Sequence, residues 1–185
     1  MRAFIAIEIP DEIKREIIGL QEQLRETKVD ASWPRPEGVH LTLKFLGETA
    51  EARIAEIMNG IRTAARGTGP FRLEVKGMGT FPNPRNARVV WIGFGGEIEK
   101  LTRLQVAVED AMAFIGMARE ERAFTPHLTV GRIKFIRARD KWLKALDEVK
   151  DIILPGFDVE AVSLMKSELK PSGAVYTEMG RVELK

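Results

Sequence analysis

Two short stretches of this chain repeat each other: His40-Leu41-Thr42-Leu43 and His127-Leu128-Thr129-Val130. They hold the only two histidines in 185 residues. Polar and aliphatic residues alternate in both, which is the period of a β-strand, where successive side chains point to opposite faces. His40 and Thr42 therefore share one face, and Leu41 and Leu43 the other. The same holds for His127 and Thr129 against Leu128 and Val130. The aliphatic face belongs to a core. The polar face meets solvent, a ligand or the matching face of another lobe.

The spacing of 87 between the histidines carries over to their surroundings. Adding it takes Phe4 to Trp91, Ile5 to Ile92, Ile7 to Phe94, and Phe71 to within one place of Phe157. The predicted elements also follow one order twice. Residues 2–9 read as a strand, and Asp11 as the N-cap of a helix running to about Arg25, with Ile13, Ile17, Leu20 and Leu24 at helical spacing. A strand at 39–46 follows, then a helix opened by Thr49 with Ile54, Ile57 and Ile61 on one face, then a strand at 71–78. In the second half, strands at 87–94 and 127–134 alternate with helices at 97–115 and 138–150. Pro155 and Gly156 break the last helix. Strands at 157–166 and 174–184 close the chain around a turn at Pro171–Gly173.

An internal duplication accounts for this order, with 2–80 and 88–166 as the copies and 174–184 as an added strand. The expected fold class is α+β. One domain, 1–185, forms two lobes whose mainly antiparallel sheets face a central groove, with helices packed outside and a pseudo-twofold relation between the lobes.

Composition removes several chemistries. There is no cysteine, so disulfides, thiolate zinc sites and cysteine nucleophiles are excluded. A zinc site needs three or four protein ligands, and neither motif contains a carboxylate, so no metal and no cofactor is expected. Net charge is only +2, so phosphate recognition must be local. Arg137, Arg139, Lys141 and Lys144 read as a solvated helix face. No run approaches the roughly 18 apolar residues of a membrane span. The chain is read as a cytoplasmic monomer.

The histidine pair suits acid–base chemistry. An unperturbed imidazole titrates near 6.5, so one ring of a pair can be neutral while the other is protonated. The neutral ring can take a proton from water while the protonated ring gives one to a leaving oxygen. Thr42 and Thr129 can donate to phosphoryl oxygens. A single histidine on a strand is ordinarily a half-buried spacer, but persistence of both polar pairs while their neighbours diverge favours a working site. Arg132 lies five residues after His127, an odd separation that puts it on the opposite face of an unbroken strand. It reaches the polar face only if Gly131 permits a bulge. Phe45 and Phe81 can stack a base, but core packing is the default for both.

These residues resemble the 2H phosphoesterase superfamily, named for its paired His-x-Thr/Ser-x motifs. HLTLKFLGE at 40–48 and FTPHLTVGR at 124–132 look like the extended motifs of the RNA 2′,3′-cyclic phosphodiesterases, historically called 2′-5′ RNA ligases. RAFIAIEIP, RVVWIGF and SELKPSGAVYT are similar too, so the resemblance covers nearly the whole chain. It implies a bilobal fold and metal-independent hydrolysis of a 2′,3′-cyclic phosphate at an RNA end to a 2′-phosphate, with tRNA fragments among the candidate partners. By position, His40 is the acid for the 3′-oxygen and His127 the base for water. Thr42 and Thr129 hold phosphoryl oxygens, and Arg132 matches a phosphate-contacting arginine. Two other functions remain open at this point: an ATP-independent 2′-5′ RNA ligase or phosphodiesterase, and a protein that binds RNA ends without turnover.

Overall fold

The computed structural model describes residues 1–171 and 173–185. Its elements are β1 (Arg2–Glu8), α1 (Asp11–Arg25), β2 (Asp30–Ser32), β3 (His40–Glu48), α2 (Ile54–Ala65), β4 (Phe71–Phe81), β5 (Val89–Gly96), α3 (Ile98–Phe114), β6 (Leu128–Phe135), α4 (Arg139–Val149), β7 (Ile153–Val159), β8 (Ala161–Lys170) and β9 (Gly173–Glu183). The fold is α+β, as the sequence predicts.

The strands form two sheets, ordered β3-β1-β8-β9 and β2-β6-β5-β4-β7, and every described pairing is antiparallel. Each sheet draws strands from both halves of the chain. β4, from the first half, pairs with β5, and β8, from the second, pairs with β1. The helices cross over too: α1 and α4 pack on the second sheet, and α2 and α3 on the first. The aliphatic faces of both sheets, with Ile5, Ile7, Leu41, Val90, Ile92 and Leu128, join in one buried core with the helices.

Several boundaries differ from expectation. Asp11 is the first residue of α1 rather than its cap. Pro10 occupies the cap position, and its carbonyl accepts from the Lys14 amide at 3.1 Å. Thr49 does not open the second helix. Its amide donates to the Met1 carbonyl at 2.7 Å, and a 3-10 turn, Glu51–Arg53, leads into α2. The strand expected at 157–166 is two strands: the chain leaves the second sheet after Val159 and enters the first at Ala161. Pro155 does not break a helix but sits in β7, an edge strand, where a missing amide donor costs no ladder bond. β2 was not anticipated. The turn at Pro171–Gly173 includes Ser172, which lies outside the described residues. β8 and β9 pair on either side of it, Lys170 opposite Gly173.

Candidate active site

Each histidine strand contains a bulge at the same place. In β3, Thr42 lies opposite Ala6, but Lys44 lies opposite Ile5, so two residues of β3 are set against one of β1. In β6, Thr129 lies opposite Trp91 and Gly131 opposite Val90, with the same two-against-one count. Burial follows this irregularity. Residues 40–45 and 127–132 show one pattern: half-buried, buried, half-buried, buried, buried, exposed.

The bulge decides which side chains join the histidines. Arg132 lies opposite Val89, and Thr129 opposite Trp91. Val89 and Trp91 are two apart on β5 and so share a face, which puts Arg132 on the face of Thr129. The condition set by the sequence, a bulge at Gly131, is met. The same reasoning places Phe45, opposite Phe4, on the face of Thr42, opposite Ala6. Phe45 is 68% exposed, which corrects its assignment to the core. In the two strands, Phe45 and Arg132 are therefore positional counterparts.

Buried side chains hold the second bulge. Gln21 of α1 donates both amide hydrogens, to the Pro34 carbonyl at 2.9 Å and to the Val130 carbonyl at 3.0 Å. The Trp33 ring packs over Gly131, where an added Cβ would stand 2.7 Å from a ring carbon. Only glycine allows that approach. At the equivalent place on β3, Lys44 points inwards. Its ammonium pairs with Glu109 of α3 at 2.7 Å and donates to the Ala118 carbonyl at 2.8 Å. Lys44 thus fastens the His40 strand to the segment that runs on to His127.

The imidazoles sit among aromatic rings. His40 makes edge contacts with Phe4 at 5.6 Å and Tyr176 at 5.1 Å between centroids. Phe4, Ala6 and Met165, with Tyr176 against them, form a small apolar cluster apart from the main core. His127 meets Phe81 edge-on at 5.4 Å, and Phe81 lies against Trp91. Phe81 is thus half-buried beside the histidine. The sequence reading missed Phe4, Tyr176 and Trp91. Phe4 and Trp91, related by the 87-residue spacing, were the available signal.

Both rings are tied to the backbone two residues earlier. His127 Nδ1 lies 2.7 Å from the Thr125 carbonyl, and His40 hydrogen-bonds the backbone of Gly38. A carbonyl at Nδ1 fixes the proton there and leaves Nε2 of His127 as the free nitrogen. Burial, reinforced by the Lys14 ammonium and partly opposed by the Gly38 hydrogen bond, lowers the His40 pKa to about 4. Without ligand, His40 is therefore neutral at pH 7. An anion bound beside it would favour its protonated form.

Among the described residues, no group of three or more His, Cys, Asp or Glu side chains is arranged to hold a metal ion. Also among them, no helix is long and apolar enough to cross a membrane.

The chain has relatives in sequence and in fold. The family model described as LigT like Phosphoesterase matches residues 7–91 and 95–176. This chain belongs to the LigT-like phosphoesterases. The phosphoesterase is 38% identical to a Methanothermobacter thermautotrophicus protein named RNA 2′,3′-cyclic phosphodiesterase, over 97% of this chain and 96% of the relative. A protein of the same name from Methanocaldococcus jannaschii is 35% identical over 95% and 96%. The fold matches a crystal structure from Thermus thermophilus with TM-score 0.82 at 29% identity, covering 100% of this chain and 98% of that one. It also matches Escherichia coli LigT complexed with 3′-AMP, with TM-score 0.78 at 23% identity over 99% and 97%. The phosphoesterase thus shares an α+β architecture of two antiparallel sheets with its structural relatives, and it is an enzyme by family.

Proposed function

We propose that this phosphoesterase hydrolyses the 2′,3′-cyclic phosphate at an RNA end to a 2′-phosphate, with His40 and His127 as its acid and base. The observation that carries this reading is the repeated bulged strand. His40 and Thr42 share a polar face of β3; in the second copy Thr129 and Arg132 share a face of β6, with His127 immediately before that strand. The names of the relatives supply the substrate class.

In this mechanism the two faces meet across the groove with the phosphate between them. His127 takes a proton from water as the water oxygen attacks phosphorus. The bond from phosphorus to the 3′-oxygen breaks, and His40 gives that oxygen its proton. Thr42 and Thr129 donate to the non-bridging oxygens, whose charge Arg132 balances. His40 is neutral in the free protein, so it takes up its proton as the anionic phosphate binds. Metal independence rests on the donor set: two histidines, no cysteine and no carboxylate in either motif. No cofactor takes part. The protein is read as a cytoplasmic monomer acting on RNA ends, those of tRNA fragments included.

The test is hydrolysis of a short RNA ending in a 2′,3′-cyclic phosphate, with EDTA present, by the parent protein, His40→Ala and His127→Ala. Turnover that resists EDTA, yields only 2′-phosphate and collapses in both variants is expected. Binding without turnover would replace the enzyme with an RNA-end binding protein. Joining of ends through a 2′-5′ linkage would favour the ligase direction.

A further inference from the structure

We infer that the cationic corner formed by the end of β6, the start of α4 and the turn before β5 is a binding surface for the single-stranded RNA chain leading to the reacting end. This rests on the proposed function for the position of that end and goes beyond it in assigning the path of the body.

Within Arg132–Lys144 there are six cations and one acid, Asp140. The structure adds two more cations from a distant part of the sequence. The Arg88 guanidinium donates to the Lys134 carbonyl at 3.1 Å, joining the start of β5 to the end of β6. Trp142 Nε1 of α4 donates to the Pro84 carbonyl at 3.0 Å, which brings the 3-10 turn Pro84–Asn86, with Arg85, against α4. Arg85, Arg88, Lys134, Arg137, Arg139 and Lys141 are all exposed. Among the described residues, neither they nor Arg132 form an ion pair.

Two further observations make this more than a solvated face. The corner is continuous with the site: Lys134 follows Arg132 by two residues on an extended strand, roughly 7 Å further along. In addition, Arg139 and Lys141 occupy the first turn of α4, where positive charge opposes the helix dipole. Positions that disfavour cations on stability grounds but carry them suit a charged partner. The polar face of the first sheet differs in having its arginine paired. On the face of Thr42, Arg181 is occupied by Glu8 at 3.8 Å and Glu183 at 2.8 Å, and Glu178 accepts from Ser163 at 2.9 Å. A phosphodiester chain leaving His40 and His127 meets an arginine already paired with carboxylates on the first sheet and unpaired cations along β6. Lysine and arginine on phosphates give affinity without reading bases, with a strong dependence on salt.

The experiment compares the parent with Arg85→Gln/Lys134→Gln/Arg137→Gln. The control variant, Arg62→Gln/Arg66→Gln/Lys185→Gln, alters another basic surface, the shallow basin of about 440 Å³ at the end of α2 and β9. Thermal unfolding establishes that each variant folds. Fluorescence anisotropy measures affinity for a single-stranded RNA of about twelve nucleotides ending in an unreactive 2′-phosphate, across a salt series. Turnover is measured on that RNA with a cyclic end and on 2′,3′-cyclic AMP. The corner variant is expected to bind RNA at least about tenfold more weakly, with the log–log salt slope reduced by about 2, since each lost single-strand phosphate contact is worth about 0.7. Its kcat/KM on 2′,3′-cyclic AMP stays within about twofold of the parent, as does RNA binding by the control. Unchanged RNA affinity in the corner variant, or an equal loss in the control, overturns the inference. Absence of turnover on both substrates would defeat the proposed reaction alone, because the affinities decide the surface independently.

Discussion

The His40 ring gives the folded state a proton dependence that can be isolated. Its pKa of about 4 lies below the 6.5 of an exposed imidazole because the ring is buried and faces the Lys14 charge. Between those two values the unfolded chain holds a proton on residue 40 that the folded protein does not. Stability contributed by the neutral ring is therefore complete above about pH 6.5 and is lost as acid is added through that interval. At about 1.36 kcal/mol for each tenfold change in proton affinity, the fall from 6.5 to about 4 amounts to about 3 kcal/mol. The perturbation is His40→Gln, which has no proton to gain. It also removes the contacts with Phe4 and Tyr176, but that offset does not change with pH. Urea unfolding of both proteins from pH 7.5 to 4 is the assay. The parent should lose about 3 kcal/mol more than the variant over that range. Parallel curves would refute the depressed imidazole, and with it the claim that His40 acquires its proton only when an anion binds.

Three other perturbations address the supports of the site. Gln21→Leu leaves the Val130 and Pro34 carbonyls without their donor and should cost about 1–3 kcal/mol by chemical denaturation. If Gln21 acts through Arg132, its effect on kcat/KM should largely vanish in an Arg132→Ala background, whereas full additivity would sink that link. Gly131→Ala drives a methyl into the Trp33 ring and should destabilise by about 1–3 kcal/mol, with part of the loss recovered in Trp33→Leu. Lys44→Met strands the Glu109 carboxylate in the interior and should cost about 3–5 kcal/mol. Adding Glu109→Leu should restore stability but not activity, since the Ala118 anchor is still missing, and recovery of both would rule out the anchoring role.

The face shared by each histidine–threonine pair was far more legible than the path of the chain through the fold. His40, Thr42, His127 and Thr129 could be read because strand alternation is strict and the same polar pair occurs twice. Arg132 could be read only conditionally, because a single inserted residue reverses the facing of everything after it. The bulge depends on Gln21 and Trp33, partners about 100 residues away in sequence. Phe45 was misjudged for the same reason: its exposure follows from a bulge beside Lys44 that local pattern does not reveal. A lysine at a mid-strand position, flanked by Leu43 and Phe45, was the available clue. The division of 157–166 into two strands was hidden because Phe157, Val159 and Ala161 are buried while Asp158 and Glu160 between them are exposed, so the alternation of a single strand runs on across the passage from one sheet to the other.

That passage is one of four. The backbone moves between the sheets from β1 to β2, from β2 to β3, from β3 to β4, and from β7 to β8. Proteins that open like a jaw have few covalent connections at the hinge. Here the sheets are stitched together along the chain, and each would lose at least two strands if the halves of the chain were parted. Relative movement of the two sheets is therefore restrained at four places along the backbone, so that for the proposed reaction the placing of one histidine strand against the other would be set by folding rather than by closure on the RNA end.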